Sequence, residues 1–174
     1  MIIVAHNMSG LSQKHLISTE DLTPEDIALI LKTARKFKGG KTKQNLTGKN
    51  ILSLFFEDST RTRISFEIAT NKLGGNFVRW DVQNSSANKG ETLQDTVLTL
   101  NAMQPDAIIV RHSEFGAPHF VSTITDCPVI NAGDSWNQHP TQALLDAFTS
   151  EEHLGKIEGI NIAICGDIAH SRVA

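Results

Sequence analysis

The sequence predicts an α/β fold, a parallel sheet covered by helices on both faces. Two observations carry this. Short apolar runs of strand length alternate with segments whose apolar residues recur at helical spacing. The strand-like runs are also apolar almost throughout, as strands buried on both faces are, and no internal repeat or low-complexity tract interrupts the order.

Thr23 is placed to cap a first helix, with Pro24 at its first position and Glu25 and Asp26 in an acidic first turn. Ile27, Ile30, Leu31, Ala34 and Phe37 follow at helical spacing, Arg35, Lys36 and Lys38 suit the negative end, and Gly39-Gly40 stops it. Lys41 to Gly48 is polar and reads as a loop. Ile51 to Phe56 is a buried strand. A helix capped by Ser59 and ended by Gly74-Gly75 follows. Its apolar residues Ile64, Phe66, Ile68, Ala69 and Leu73 cover more than one face, as in a helix packed between layers.

Phe77 to Trp80 forms a second strand, and Asp81 to Gly90 a polar loop. A helix from about Thr92 to Met103 presents Leu93, Val97 and Leu100 together. Ala107 to Val110 is a third strand ending at Arg111, and Pro128 to Ile130 a short fourth one that gives way to the polar NAGDSWNQH. Pro140 then opens a helix running through Ala143, Leu144, Leu145, Ala147 and Phe148. A boundary is expected at Glu151 to Gly159, dividing residues 1–150 from residues 151–174. Ile160 to Cys165 reads as the first strand of a second, truncated α/β unit.

Bulk properties remove several functions. The chain of 174 residues is 40% hydrophobic and 20% charged, an ordinary globular composition, with formal net charge −3. No basic block offers a nucleic-acid surface, so any cationic site must be local. The two cysteines, Cys127 and Cys165, lie in or beside apolar runs without metal or redox spacing, and read as reduced core residues of a cytoplasmic protein. The opening MIIVAHNMSG is too short and too polar in its flanks for a signal peptide or a membrane span. Gly39-Gly40-Lys41-Thr42 resembles the tail of a nucleotide-binding P-loop, but Arg35 stands where that motif needs glycine and a helix precedes it. No metal-ligand set, dinucleotide fingerprint or nucleophile elbow occurs, so neither a metal nor a cofactor is implied.

What remains is an anion site. Ligands of α/β sheets bind beyond the carboxyl ends of the strands. Ser59, Thr60, Arg61 and Thr62 fall there after the first strand, Arg111 after the third, His139 after the fourth, and Asp167 to Arg172 after the last. The first group is the sharpest, because hydroxyls and unpaired N–H groups at a helix start favour negative charge. Arg61 opposes the helix dipole there unless an anion balances it, and its guanidinium suits a phosphoryl group. The plain alternative is a serine cap with solvated arginines. Arg63 reads as a loop-holding residue paired with Glu57, Asp58 or Glu67. Arg111 taken alone could pair with Glu114. His139, at a helix start, is expected to be neutral and able to donate to a carbonyl, or else merely to cap its helix. Lys89 stands in a polar loop with Ser85 that could close on an anion or remain a solvated loop.

The stretches FFEDSTRTRISFE (Phe55 to Glu67), SSANKGETLQDT (Ser85 to Thr96), VRHSEFGA (Val110 to Ala117), NAGDSWNQHPTQALLD (Asn131 to Asp146) and GDIAHSRVA (Gly166 to Ala174) together resemble the N-terminal half of aspartate carbamoyltransferase catalytic chains. The resemblance runs from about Thr19 to the last residue, and implies transfer of a carbamoyl group from carbamoyl phosphate to L-aspartate in pyrimidine synthesis. By that likeness Ser59, Thr60, Arg61 and Thr62 bind the phosphate, and Arg111 contacts phosphate and carbamoyl oxygen. His139 polarises the carbonyl, Gln142 meets the carbamoyl amino group and Arg172 holds an aspartate carboxylate. Ser85 and Lys89 resemble residues that enter a neighbouring subunit's site, which implies a homotrimer with shared active sites and leaves room for a regulatory chain. The likeness further implies a carbamoyl phosphate-binding domain with its linking helix in residues 1–150, and the start of an aspartate-binding domain in 151–174. A chain of this extent is expected to bind carbamoyl phosphate but to turn over poorly alone. The alternatives are a non-catalytic carbamoyl phosphate-binding or trimerisation module, and a carbamoyltransferase acting on another amine.

Overall fold

The computed structural model of the chain describes residues 10–40, 45–80 and 90–173. Helix α1 spans Pro24–Lys38, strand β1 Asn50–Phe55, α2 Thr60–Lys72, β2 Asn76–Trp80 and α3 Leu93–Asn101. Strand β3 (Ala107–His112), α4 (Ala117–Thr123), β4 (Val129–Asp134), α5 (Pro140–Leu154) and a 3-10 turn at Ile168–His170 complete the order. The sheet is parallel throughout in the order β2-β1-β3-β4, the α/β architecture expected.

Side-chain alternation along the strands divides the core in two. Ile51, Phe55, Ala107, Ile109, Ile130 and Ala132 point to one face, where Phe66 and Leu73 of the α2 segment cover them and Phe37 of α1 packs alongside. Leu52, Leu54, Ile108, Val110 and Val129 point to the other, beneath Val97 of α3 and Val121 of α4. From β1 the chain moves outward to β2, then returns past β1 to β3. The direction of winding thus reverses between β1 and β3, and the carboxyl ends of those two strands flank the crevice where open α/β sheets bind ligands.

Four differences from the sequence reading have physical causes. Strand β4 continues through Asn131, Ala132, Gly133 and Asp134, all buried. Their polar groups are satisfied internally: Asn131 Nδ2 donates to Ile17 O (2.9 Å), Gly133 N–H to Asn131 Oδ1 (2.8 Å) and Gly116 N–H to Asp134 Oδ1 (2.8 Å). Helix α4, unassigned from the sequence, starts at Gly116 in the left-handed region (φ 80) with Pro118 in its first turn. Helix α2 buries one face only, since Ile64 and Ile68 stay 43% and 50% exposed. Finally, Ile160 to Cys165 is not a strand: it joins no ladder among the described residues, and Ile162, Ile164 and Cys165 are exposed while Cys127 is buried. A strand needs a neighbour for its backbone groups, and none among the described residues lies beside this one.

At the amino end, Leu16 lies beside β4, its N–H donating to Val129 O and its carbonyl accepting from Asn131 N–H, both at 2.9 Å. Asp26, in the first turn of α1, ties the preceding segment down. Its carboxylate accepts from Ser12 Oγ (2.5 Å), Ser12 N–H (2.9 Å) and Thr23 N–H (3.0 Å), while Thr23 Oγ1 caps Asp26 N–H. These bonds, the Ser12 hydroxyl first, lower its pKa from 3.8 to about 2. A carboxyl depressed on folding stabilises fully above its unfolded value and loses that contribution as pH falls through the folded one. The stability deficit of Asp26→Asn, measured by urea midpoints, should therefore be greatest above pH 4 and shrink between about pH 4 and pH 2; a pH-independent deficit contradicts this assignment.

Candidate active site

Beyond the switch point lies a cleft of about 1020 Å³ lined by Ser59, Thr60, Arg61, Thr62, Arg111, His139, Gln142 and Arg172, with Asp58, Thr141 and Leu145 among the other walls. Three of the expected strand ends therefore converge, and of the last expected group Arg172 joins them although no strand precedes it among the described residues. Ser85 and Lys89 fall outside the described residues.

Each group is placed by its element. Ser59 occupies the N-cap position of α2, yet its hydroxyl makes no capping bond, contrary to the expected cap. The first i to i−4 bond of this turn runs from Arg63 N–H to Ser59 O at 3.3 Å, so the N–H groups of Thr60, Arg61 and Thr62 precede the helical ladder. Arg61 forms no ion pair among the described residues and is exposed toward the cleft. Arg63 is exposed and outside the cleft lining. Two of its expected partners are engaged elsewhere, Glu67 by Arg79 and Glu57 by Arg111 and Arg172.

Arg111 does not pair with Glu114. Its Nη1 donates to Ala132 O and its Nη2 to Glu57 Oε2, each at 3.2 Å, and the same carboxylate oxygen lies 3.5 Å from Arg172 Nη2. One carboxylate thus faces two guanidiniums, leaving a net positive charge. Arg111 Nε, Arg172 Nη1 and Glu57 Oε1 are buried with no hydrogen-bond partner among the described residues. Unspent buried donors are costly, and two of them on cations bordering one cleft suit an anionic ligand. Glu57, just beyond β1, is held by these two arginines rather than by Arg63, a role that nothing in its sequence position announces. Gly133, at φ 135, lets both guanidiniums lie against β4. A Cβ there would sit 2.8 Å from Arg172 Nη1 and 3.0 Å from Arg111 Nη1.

His139 stands at the N-cap of α5 without a side-chain capping bond. Its pKa is lowered from 6.5 to about 4, by burial first and then by Arg111 and Arg172. The expected neutral ring is there, with burial and two guanidiniums as the leading causes. Nδ1 lies 3.2 Å from Thr141 Oγ1, a pairing that leaves Nε2 as the N–H donor when the hydroxyl donates. Among the described residues no cluster of three or more histidine, cysteine or carboxylate side chains could hold a metal, and no helix is long and apolar enough to cross a membrane.

Residues 14–152 match the family described as aspartate/ornithine carbamoyltransferase, carbamoyl-P binding domain. The aspartate carbamoyltransferase catalytic subunit of Aliarcobacter butzleri is 56% identical over 162 residues, covering 92% of this chain and 55% of that protein. That of Granulibacter bethesdensis is 51% identical over 165 residues, covering 92% and 52%. Among solved structures, aspartate transcarbamoylase of Trypanosoma cruzi bound to N-(phosphonacetyl)-L-aspartic acid superposes with a TM-score of 0.84 at 39% identity, over 92% of this chain and 51% of that one. The M. jannaschii catalytic subunit gives 0.83 at 42% identity, over 92% and 54%. The chain spans about half the length of these relatives. With sheet, switch-point cleft and sequence in agreement, the chain belongs to the aspartate/ornithine carbamoyltransferase family, through its carbamoyl phosphate-binding domain.

Proposed function

We propose that this chain supplies the carbamoyl phosphate half of an aspartate carbamoyltransferase. The whole protein moves the carbamoyl group from carbamoyl phosphate to the amino group of L-aspartate, releasing N-carbamoyl-L-aspartate and phosphate, a step of pyrimidine synthesis in the cytoplasm. The observation that carries the reading is the meeting of Arg61, Arg111 and the open first turn of α2 on one cleft. In this reading residues 1–150 form the carbamoyl phosphate unit, residues 151–174 begin the aspartate unit, and α5, which runs on to Leu154, links the two.

The phosphate sits against the N–H groups and hydroxyls of Ser59 to Thr62, where helix terminus and Arg61 together favour a dianion. Arg111 bridges phosphate and carbonyl oxygen. Attack by the aspartate amine places negative charge on that oxygen, and donors fixed beforehand at Thr62, Arg111 and His139 Nε2 lower the barrier. A neutral His139 donates without a competing proton loss across the physiological range. Nitrogen–carbon bond formation accompanies cleavage of the carbon–oxygen bond to phosphate, and the departing phosphate accepts the amine proton, so no protein general base and no covalent intermediate are required. Gln142 faces the carbamoyl amino group and Arg172 an aspartate carboxylate. Ser85 and Lys89 complete a neighbouring subunit's site in a homotrimer; the exposed Ile64 and Ile68, one turn apart on α2, favour a subunit contact there.

Calorimetry should detect one binding site for carbamoyl phosphate and for inorganic phosphate. Arg61→Ala should lose about 100-fold in phosphate affinity, on the order of 2.7 kcal/mol, while folding normally; absence of binding by the parent chain overturns the reading. Gly133→Ala, combining a strained φ with crowding of both arginines, should cost about 1–3 kcal/mol of stability and weaken phosphate binding; unchanged phosphate affinity would separate Gly133 from the site. The His139 ring, followed by NMR, should titrate near pH 4. Because this folded value lies below the unfolded 6.5, the associated stability is complete above 6.5 and is lost as pH falls through about 4. A midpoint at 6.5 contradicts the buried, doubly flanked ring.

A further inference from the structure

Helix α5 brings Gln142 into the cleft just after His139, and Asp146 follows one turn later on the same stripe. Gln142 Nε2 donates to Asp146 Oδ1 at 2.9 Å. A primary amide is ambivalent, since it can show a neighbour either its two N–H donors or its carbonyl oxygen. An ionised carboxylate removes that freedom because it only accepts, so the amide must turn its NH2 toward Asp146. The oxygen Oε1 is then the end of Gln142 left for a ligand.

We propose that Asp146 is a positioning residue that locks Gln142 with Oε1 toward the cleft, making the site select a ligand carrying an N–H donor beside its acyl phosphate. This rests on the carbamoyl phosphate reading and adds the basis of its selectivity. A carbamoyl group presents NH2 where an acetyl group of nearly the same size presents CH3. Against the methyl group a fixed acceptor finds no partner, and sites built to hydrogen-bond a substrate group discriminate strongly against analogues lacking it. An amide free to turn would not read the difference in the same way.

Asp146 is exposed, so the change Asp146→Asn does not disturb the core. Asparagine is isosteric, but its own amide can donate as well as accept, which frees Gln142 to present either end. His139 remains neutral in this variant, because the Asp146 carboxylate acts on that ring only in the direction of protonation. Asp146→Glu keeps an acceptor-only partner one methylene longer.

The test is calorimetric comparison of carbamoyl phosphate with acetyl phosphate, with inorganic phosphate as reference, on the whole chain. The parent should prefer carbamoyl phosphate by about 10-fold, the scale of one satisfied hydrogen bond. Asp146→Asn should bring the two ligands to within about 2-fold, and Asp146→Glu should recover most of the preference, with unfolding midpoints matching the parent. A preference unchanged in Asp146→Asn, or a parent that does not distinguish the two, overturns the role of Asp146 and leaves the carbamoyl phosphate site standing. A parent that binds none of the three overturns both.

Discussion

One carboxylate, Glu57, holds two guanidiniums of the cleft together. Two guanidiniums share its single oxygen Oε2, at 3.2 Å from Arg111 and 3.5 Å from Arg172. The arginines are only 13% and 25% exposed, so they could not stand beside each other unscreened. A second acid bonded to the same pair would neutralise them and remove the attraction for a phosphoryl group. With no acid, mutual repulsion would push them apart. A single negative charge between two positive ones keeps them together while leaving an excess cation for ligand.

That arrangement depends in turn on topology. Glu57 follows β1, Arg111 is the last but one residue of β3, and the backbone joins the two strand ends, Phe56 N–H donating to Arg111 O at 2.9 Å. The neighbouring β4 contributes Ala132 O as a fixed acceptor and Gly133 as a floor without a side chain. Three adjacent strands therefore set the guanidinium of Arg111, and α2 and α5 bring Arg61 and His139 to the same cleft. Parallel strands all end on one side of the sheet, which is why residues so distant in sequence can meet without long loops.

The sequence made much of this legible, for identifiable reasons. Thr23-Pro24 and Gly39-Gly40 bracket α1 because capping and helix termination are local chemistry. Ser59 to Thr62, Arg111 and His139 were readable because each follows a recognisable element boundary. The end of β4 was not, since Asn131-Ala132-Gly133-Asp134 is polar in composition yet buried through bonds to Ile17 and Gly116, partners remote in sequence. Helix α4 was missed in a segment whose histidine, serine and threonines blur the apolar period. At Ile160 to Cys165 the opposite happened: apolar pattern announced a strand, but pattern alone supplies no neighbour. Glu57 and Asp146 act through the side chains they turn, and such roles leave no mark on periodicity or spacing.

The sheet's outer margin at β4 has a further consequence. Leu16 closes it with two backbone bonds, one on each side of Ile130, and Asn131 adds its own tie to Ile17. A protease cutting beyond Leu16 would uncover the backbone margin of β4 beside the arginine pocket. Bare margins of that kind recruit other strands, so such a nick would turn the chain into a seed for self-association.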